Sequence, residues 1–436
     1  MYKTQCIFIK FFLLPLKSEI LSCMNYNALI IKVLKTIFLI IIFSFNLFSQ
    51  DKEFATKIIS DLTSPYFHGR GYSNKGVIRT ASYIENTLKK CQVPIVYKQK
   101  VIFPVSYIKK IQFIKFDTSF TEIGDDVIVY QNSCSINGTF EVEKVNKDNF
   151  NEIASMNFIN KFILFDTSIT NNSKYAKELK IITRTNPLNA KGYILCKSGK
   201  LMQIQSDRTN NWVTLEADVK YINTKTNSLS IKSKHHKSYK SSNVIGIIPG
   251  LSDTVIAYTA HYDHMGRLNN VYFPGANDNA SGVSMVLDIG RELSTSKNKY
   301  TVALLFFTGE EVGLIGSEYF VNNPTFELSK IKYLFNLDVI GSGEDGFGVV
   351  NGTEFSDLID LMNKINNEYN LGLSFKLRGK SNNSDHAPFY EKGVKAIFLY
   401  AMGKAGGYHH PSDKLENMSL AKYNEIVKLL IKIVNY

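Results

Sequence analysis

The C-terminal half of the chain alternates between two patterns of hydrophobic positions. Uninterrupted apolar runs, which are typical of strands buried on both faces, cover residues 244–248, 255–259, 302–307, 333–337 and 394–400. Apolar residues at helical spacing lie between or after these runs, at residues 280–293, 355–369 and 420–434. This alternation predicts an α/β domain over residues 241–436, with a mixed, mostly parallel central sheet sandwiched by helices.

The segments before residue 241 have different patterns of hydrophobic and polar residues. Residues 51–104 predict two helices, separated by a glycine-containing turn at residues 68–71. Residues 105–240 instead contain short β-branched and aromatic runs between polar loops, for example at 127–130, 162–165 and 193–196. We therefore expect two N-terminal helices that belong to the C-terminal domain, and a β-rich insert over residues 105–240.

The first fifty residues differ from the rest of the chain. Lys32 and Lys35 precede an uncharged run of 13 residues, Thr36 to Phe48, which small and polar residues follow. This order predicts a signal peptide within residues 1–50, with translation starting at Met1 or at Met24. The run is shorter than the about 20 residues of a spanning helix. We expect an exported protein, periplasmic or extracellular, without a membrane span after cleavage.

The composition is that of a globular protein, with 44% hydrophobic and 21% charged residues. Removal of residues 1–50, which hold five lysines and one glutamate, changes the net charge from +12 to +8. The lysines are scattered among asparagines and form no arginine-rich helix, so we expect no nucleic-acid partner. Cys91, Cys134 and Cys196 remain; they allow at most one disulfide and contain no Cys-x-x-Cys pair.

Acidic and imidazole side chains follow the apolar runs or lie in glycine-rich turns of the C-terminal domain. The carboxyl ends of parallel strands meet at one edge of a sheet, so side chains delivered there are expected to converge. Carboxylates and imidazoles are common zinc ligands, and a two-metal hydrolase needs several of them together. The candidate set is His261, Asp278, Glu310, Glu311, Asp338 and His409.

The carboxylates of this set also have structural interpretations. Asp278 lies in a glycine-flanked turn before a helix, where an aspartate either caps the helix or reaches a metal from two sides. Glu310 and Glu311 follow a buried strand, where two adjacent negative charges repel each other unless a cation or a helix N-terminus stabilises them. Asp338, taken singly, fits a structural role as well as a ligand role.

The histidines are ambiguous in a similar way. Asp263, two residues after His261, is placed to hold the second ring nitrogen of a ligating imidazole through its carboxylate. His409 and His410 are adjacent and compete for one ligand role. His386 opens a further helix, a position more typical of a pocket-lining or hydrogen-bonded histidine than of a metal ligand.

Together these motifs resemble the M28 family of zinc peptidases, in particular its bacterial leucyl/glutamyl-type aminopeptidases. The matching motifs are His-x-Asp, Gly-Ala-x-Asp-x-Ala-Ser-Gly, Gly-Glu-Glu-x-Gly-Leu-x-Gly-Ser, Asn-x-Asp and Tyr-His-x-Pro-x-Asp, beginning at residues 261, 275, 309, 336 and 408. The resemblance covers residues 241–436 closely and residues 52–100 more loosely. Within the insert, residues 161–165 and 190–194 resemble a protease-associated domain.

The resemblance implies two zinc ions. His261 and Asp338 would bind one ion, Glu311 and His409 the other, and Asp278 would bridge them. A site with histidine and carboxylate ligands and no thiolate is typical of hydrolytic zinc.

The resemblance also assigns roles to neighbouring residues. Glu310 would be the general base that takes a proton from the attacking water and passes it to the leaving amine. His409 is selected over His410 because it directly follows Tyr408, as in the family's Tyr-His-Thr-Pro pattern. Separately from the resemblance, the position of Tyr408 beside His409 suggests that its hydroxyl donates a hydrogen bond to the tetrahedral oxyanion.

The resemblance therefore implies an exported exopeptidase that acts on peptides or proteins, with aminopeptidase action favoured. The alternatives are a carboxypeptidase and a glutaminyl cyclase-like acyltransferase on the same fold. The sequence motifs around Asp278 and Asp338 favour two-metal hydrolysis over cyclisation. A non-catalytic receptor-like module is the least favoured alternative, because no ligand position is lost. Side-chain specificity and oligomeric state are not readable from the sequence.

Overall fold

A mixed sheet of 14 strands runs through residues 52–436, the part of the chain that the computed structural model describes. The predicted signal peptide lies outside the described residues. The strands, including a separate two-stranded hairpin (β10 and β11), are Ile95–Phe116 (β1), Ser119–Phe120 (β2), Val127–Val129 (β3), Ile136–Val145 (β4), Phe162–Phe165 (β5), Gly192–Lys197 (β6), Val213–Asp218 (β7), Thr226–Ile248 (β8), Ser252–His261 (β9), Arg267–Leu268 (β10), Val271–Tyr272 (β11), Tyr300–Phe307 (β12), Ile331–Leu337 (β13), Phe347–Val350 (β14), Phe375–Leu377 (β15) and Ala396–Ala401 (β16).

Helices connect and cover these strands. They are residues 52–63 (α1), Gly76–Lys90 (α2), Thr167–Thr170 (α3), Ala176–Thr185 (α4), Ser281–Ser294 (α5), Ile315–Asn322 (α6), Ser356–Glu368 (α7), His386–Glu391 (α8) and Tyr423–Ile433 (α9). Within residues 52–436, none of the helices is both long enough and apolar enough to cross a bilayer.

The C-terminal strands form the part of the sheet that carries the candidate residues. Their order is β15-β14-β16-β13-β9-β12-β8. β9 pairs in parallel with both β12 and β13, and β13 pairs in parallel with β16. Antiparallel pairing occurs at β12 with β8 and at β14 with β16. The predicted mixed, mostly parallel sheet is confirmed, and its parallel strands end at one common edge.

Two layers of helices enclose this sheet because its strands are apolar on both faces. Val302, Leu304 and Phe306 of β12 belong to the core on the face covered by α1, α2, α5, α7 and α9. The alternate residues, Leu305 and Phe307 among them, pack on the other face against α6 and α8. This burial on both sides explains why β12 reads as a continuous apolar run rather than an alternating one.

The long strands β1 and β8 connect the C-terminal part of the sheet to the strands of the predicted insert. They pair antiparallel from Ile95 opposite Ile247 to Phe116 opposite Asn227. The predicted insert boundaries, residues 105 and 240, therefore fall inside these two strands. Beyond them the sheet continues as β4-β5-β6-β7-β3, and β4 to β7 pair in parallel. This region also contains α3 and α4, which the β-rich prediction omitted.

Candidate active site

All six candidate residues lie at the carboxyl edge of the parallel strands. His261 is the last residue of β9, and Asp338 directly follows β13. Glu310 and Glu311 lie three and four residues after β12. Asp278 and His409 lie on two loops, one before α5 and one after β16, that pass over this edge. Residues far apart in sequence meet here because parallel strands release their side chains at one side of the sheet.

The imidazole of His261 faces two carboxylates. Its Nε2 lies 3.2 Å from Asp338 Oδ1 and 3.2 Å from Asp278 Oδ1, with Glu310 Oε2 farther away at 4.0 Å. The opposite ring nitrogen, Nδ1, lies 3.2 Å from the backbone carbonyl of Asp263. A carbonyl can only accept, so Nδ1 carries a proton, and Nε2 is the ring nitrogen that faces the carboxylates.

His409 has the same arrangement on the other side of Asp278. Its Nε2 lies 3.1 Å from Asp278 Oδ2 and 3.1 Å from Glu311 Oε2, but in hydrogen-bond geometry with neither. Its Nδ1 lies 3.0 Å from the carbonyl of Gln203, and the N–H of Gln203 donates back to the His409 carbonyl at 2.9 Å. A segment of the predicted insert thus orients this histidine and leaves its buried Nε2 without a hydrogen-bond partner in residues 52–436.

The loop that carries Asp278 is fixed from two directions. Both carboxylate oxygens of Asp413 accept backbone N–H groups, from Asn277 at 2.8 Å and from Asp278 at 3.0 Å. The fully buried guanidinium of Arg70 donates to the carbonyls of Pro274 at 2.5 Å, Gly275 at 2.7 Å and Asp278 at 3.0 Å. Asp278 therefore projects from a loop with little freedom to move.

Gly275 is necessary for this loop. Its φ is +60°, a left-handed conformation that favours glycine. A Cβ at this position would lie 2.3 Å from the carbonyl oxygen of Asp278 and 2.5 Å from Nη2 of Arg70. The prediction that glycine permits a sharp turn around Asp278 agrees with this geometry.

Two further residues hold the strand-end carboxylates. The hydroxyl of Ser384 donates to Asp338 Oδ2 at 2.8 Å and leaves Oδ1 facing His261. Asp263 Oδ1 accepts the backbone N–H of Glu310 at 3.2 Å, and its Oδ2 accepts the hydroxyl of Tyr72 at 2.6 Å. The sequence predicted that the Asp263 carboxylate holds the His261 ring. Its Oδ1 lies 3.9 Å from His261 Nδ1, and the Asp263 carbonyl makes that contact instead, because the carboxylate is engaged by Tyr72 and Glu310.

The cluster is strongly electronegative. Burial disfavours a charged His261, but the carboxylates of Asp338 and Glu310 outweigh burial and raise its pKa well above the usual range. Burial opposes the charge of His409 too, yet the carboxylates of Glu311 and Asp278 raise its pKa to about 11. Burial raises the pKa of Glu310 well above the usual range, against the opposing charge of His261. The site therefore favours bound positive charge, whether protons or metal cations.

The remaining predicted residues differ in their distance from the cluster. The Tyr408 side chain is largely outside the protein, with the residue 53% exposed, and its ring stacks on His409 at a centroid distance of 3.8 Å. His410 turns away, and its Nδ1 contacts the Ser412 hydroxyl at 2.8 Å. His386 is fully buried, with Nε2 2.9 Å from the Ser381 carbonyl, and burial lowers its pKa to about 4. Within residues 52–436, no hydrogen bond or ion pair joins His386 to the candidate ligands.

Sequence reasoning missed His264, Arg70 and Asp413 as parts of the site. His264 is fully buried, its Nδ1 lies 2.8 Å from Glu311 Oε1, and its Nε2 has no hydrogen-bond partner among the described residues. Its presence three residues after His261 was a usable signal, as was the aspartate that ends the motif at residues 408–413. Arg70 offered no such signal, because its partners are carbonyls about 200 residues away.

The fold and the cluster define an α/β protein with a candidate metal centre at the carboxyl edge of its sheet. The donor set fits a divalent cation, since buried carboxylates face two imidazole nitrogens whose protons lie on the opposite side of each ring. Residues 243–434 match the family model described as Peptidase family M28.

Individual proteins show the same relationship. The chain is 27% identical over 222 residues to Aminopeptidase YwaD of Bacillus subtilis (strain 168), an alignment that covers 48% of each chain. It is 37% identical over 132 residues to Leupeptin-inactivating enzyme 1 of Streptomyces exfoliatus, over 29% of each chain. The chain therefore spans about half or less of the length of these curated relatives.

The fold extends over more of the chain than the sequence similarity does. The solved structure of BSAP, a zinc aminopeptidase from Bacillus subtilis, superposes with a TM-score of 0.68 at 20% identity. The superposition covers 88% of this chain and 95% of that one. At this identity the match shows a shared fold, which includes the region of the predicted insert.

Proposed function

We propose that the protein is a zinc-dependent exopeptidase that removes residues from the N-termini of peptides. The observation that carries this proposal is the position of Asp278 between two histidines. One of its carboxylate oxygens faces His261 Nε2 and the other faces His409 Nε2, at 3.2 and 3.1 Å. A carboxylate that presents its two oxygens to two separate imidazoles is suited to bridge two cations.

The distances within the cluster support a pair of zinc sites. Ligand atoms about 2.0–2.1 Å from a tetrahedral zinc lie about 3.3 Å from one another. The four relevant separations, two around His261 and two around His409, are 3.1 or 3.2 Å. In this proposal His261 and Asp338 hold one zinc, His409 and Glu311 hold the other, and Asp278 is shared.

Glu310 is proposed as the general base. Its carboxylate lies outside the short contacts of the cluster, 4.0 Å from His261 Nε2, while its backbone N–H is fixed by Asp263. Bound zinc would supply Lewis-acid chemistry, activating water and polarising the scissile carbonyl. Glu310 would take the proton of the attacking water and return it to the leaving amine.

Aminopeptidase action is supported by the relatives. YwaD and BSAP are both described as aminopeptidases. These relatives favour an N-terminal over a C-terminal site of attack.

A panel of substrates tests the proposal. Purified protein lacking residues 1–50 would be incubated with aminoacyl-coumarins, N-blocked dipeptides and glutaminyl peptides, with and without a chelator. We expect hydrolysis of the aminoacyl-coumarins, loss of this activity with the chelator, and recovery on adding zinc. Cleavage only of the blocked dipeptides would establish a carboxypeptidase, and cyclisation of glutaminyl peptides without hydrolysis would establish a cyclase; either result would overturn the proposal.

We also propose that the protein is exported, on the basis of the basic flank and short apolar run within residues 1–50. Sequencing the N-terminus of the mature protein from periplasmic and culture fractions tests this. A cleaved N-terminus close to Ser49 and Gln50 is expected. Recovery of the uncleaved chain from the cytoplasm alone would contradict export.

A further inference from the structure

A cavity of about 420 Å³ lies next to the candidate metal centre and is not used in the proposed chemistry. One of its walls is Val312, the residue directly after Glu311. Another is Gln205, whose side-chain amide donates to the backbone carbonyl of His264 at 3.1 Å. The remaining walls come from the predicted insert, including α4. The cavity therefore adjoins both the glutamate loop and the loop of His264.

The charges around this cavity are opposite to those of the metal centre. Lys180, Arg184 and Arg208 line it, and all three are exposed. Among the described residues, none of these three side chains has an ion-pair partner, whereas Lys197, which also lines the cavity, pairs with Glu216 at 2.5 Å. Asp207 is the one acidic residue of the lining. The cavity thus offers three unpaired cations against one carboxylate.

We propose that this cavity binds the leaving part of the peptide substrate, with Arg208 and Arg184 holding a carboxylate of that part. This inference rests on the proposed exopeptidase function. A peptide with a free N-terminus carries an ammonium group at the scissile end, which the cationic cavity repels. The carboxylate, which is either the C-terminus of a short peptide or an acidic side chain, has the opposite preference.

Arginine suits this role because its planar guanidinium forms two parallel hydrogen bonds with a carboxylate. The two arginines belong to different elements. Arg184 lies near the end of α4, and Arg208 lies in the loop between β6 and β7 that also carries Gln205. Loss of one arginine therefore leaves the other in place, and each can be tested separately.

The test compares peptides that differ only in charge. Here X is the N-terminal residue hydrolysed fastest as an aminoacyl-coumarin, and kcat/KM is measured for X-Ala, X-Ala-amide and X-Glu-amide. The wild-type protein is expected to prefer X-Ala over X-Ala-amide at least about tenfold, in line with a charge-assisted contact. Arg208→Gln is expected to lower this preference about tenfold, and Arg208→Lys is expected to retain part of it. Raising the ionic strength should also lower the preference.

Lys177→Gln is the matched control, because Lys177 is an exposed residue of α4 that does not line the cavity. It removes the same charge and should leave the preference unchanged. If Arg208→Gln fails to fold, as judged by its zinc content and thermal unfolding, Arg184→Gln provides the same test from another element. Faster hydrolysis of X-Glu-amide than of X-Ala-amide would show that the cavity binds the carboxylate of an acidic side chain. Faster hydrolysis of X-Ala than of both amides would show that it binds the C-terminal carboxylate.

The measurements distinguish failure of the proposed function from failure of this inference. Absence of aminoacyl-coumarin hydrolysis by the zinc-loaded protein would overturn the proposed function, and with it this inference. Hydrolysis of aminoacyl-coumarins would overturn the inference alone if neither arginine variant changed the ratio of X-Ala to X-Ala-amide or the ratio of X-Glu-amide to X-Ala-amide.

Discussion

At the scale of single residues, the site depends on which atom of each side chain is already engaged. The Nδ1 atoms of His261 and His409 face backbone carbonyls, so the Nε2 atom of each ring faces Asp278. One Asp338 oxygen accepts from Ser384 and the other faces His261. Because the other polar atom of each of these side chains already has a partner, the side chains are ordered before a cation binds. This order reduces the entropic cost of binding the cation.

The role of Glu310 is tested by Glu310→Gln, which removes the proton acceptor and keeps the shape of the side chain. We expect kcat on an aminoacyl-coumarin to fall at least about a hundredfold. Zinc content, measured by elemental analysis, should be unchanged because Glu310 lies outside the proposed ligand set. Glu318→Gln, on the exposed side of α6, is the control. Near-normal turnover by a fully metallated Glu310→Gln protein would contradict the assignment.

The choice between adjacent histidines is tested by His409→Ala and His410→Ala. Only His409 lies 3.1 Å from Asp278 and Glu311, while His410 contacts Ser412. His409→Ala should therefore lower the zinc content by about one ion per chain after gel filtration, whereas His410→Ala should keep the wild-type content. The opposite pattern would show that the ligand is His410.

At the scale of elements, the strands of the C-terminal domain were predictable and the loops between them were not. β12 is a continuous apolar run because both of its faces are buried, and α2 follows the predicted turn at residues 68–71, as expected for the second of the two predicted helices. The loop contacts could not be predicted, because they join residues that are far apart in the sequence and a local sequence pattern carries no information about such contacts. Gln203 reaches His409 from 206 positions away, and Arg70 reaches Pro274 from 204 positions away.

Arg70 is predicted to be the main support of the Asp278 loop. Burial lowers its pKa to about 10, so it is still charged at neutral pH. Arg70→Met would leave the carbonyls of Tyr262, Pro274, Gly275 and Asp278 without this donor. We expect Arg70→Met to lower the free energy of unfolding, measured by urea denaturation, by roughly 3 kcal/mol or more, and to lower the affinity for zinc.

Arg79→Met is the control for Arg70→Met, because Arg79 makes one exposed hydrogen bond, to the carbonyl of Tyr66 at 2.7 Å. Its effect should stay within about 1 kcal/mol. Equal stability of the two variants would show that the buried guanidinium does not support the loop.

At the scale of the whole molecule, two regions of opposite charge meet where the predicted insert adjoins the glutamate loop. The metal centre concentrates carboxylates at the sheet edge, and the cavity beside Val312 concentrates cations. The sequence indicated the first region, because its residues follow recognisable strands. It did not indicate the second, because scattered lysines and arginines look alike until the fold brings some of them around one cavity.

The charge of the metal centre predicts a pH dependence of stability. The pKa of His409 rises from an unfolded value of about 6.5 to about 11 in the folded metal-free protein. The stabilisation that comes from its bound proton is complete below pH about 6.5 and is lost as pH rises towards 11. Zinc-loaded protein holds His409 neutral and avoids this loss.

The difference in Tm between zinc-loaded and metal-free protein should therefore widen from pH 6 to pH 8, by about 5 °C. Differential scanning calorimetry at several pH values measures it. The His409→Ala protein, which lacks the titrating group, is the control and should show a smaller change. A difference that stays constant or narrows with rising pH would contradict the electrostatic description of the site.

The central claim, a two-zinc peptidase centre organised around Asp278, is tested most directly by titrating zinc into metal-free protein while aminoacyl-coumarin hydrolysis is followed. We predict no hydrolysis without metal and a rise in activity that reaches its plateau at two zinc ions per chain. A plateau at one ion per chain, or full activity in the metal-free protein, would contradict it.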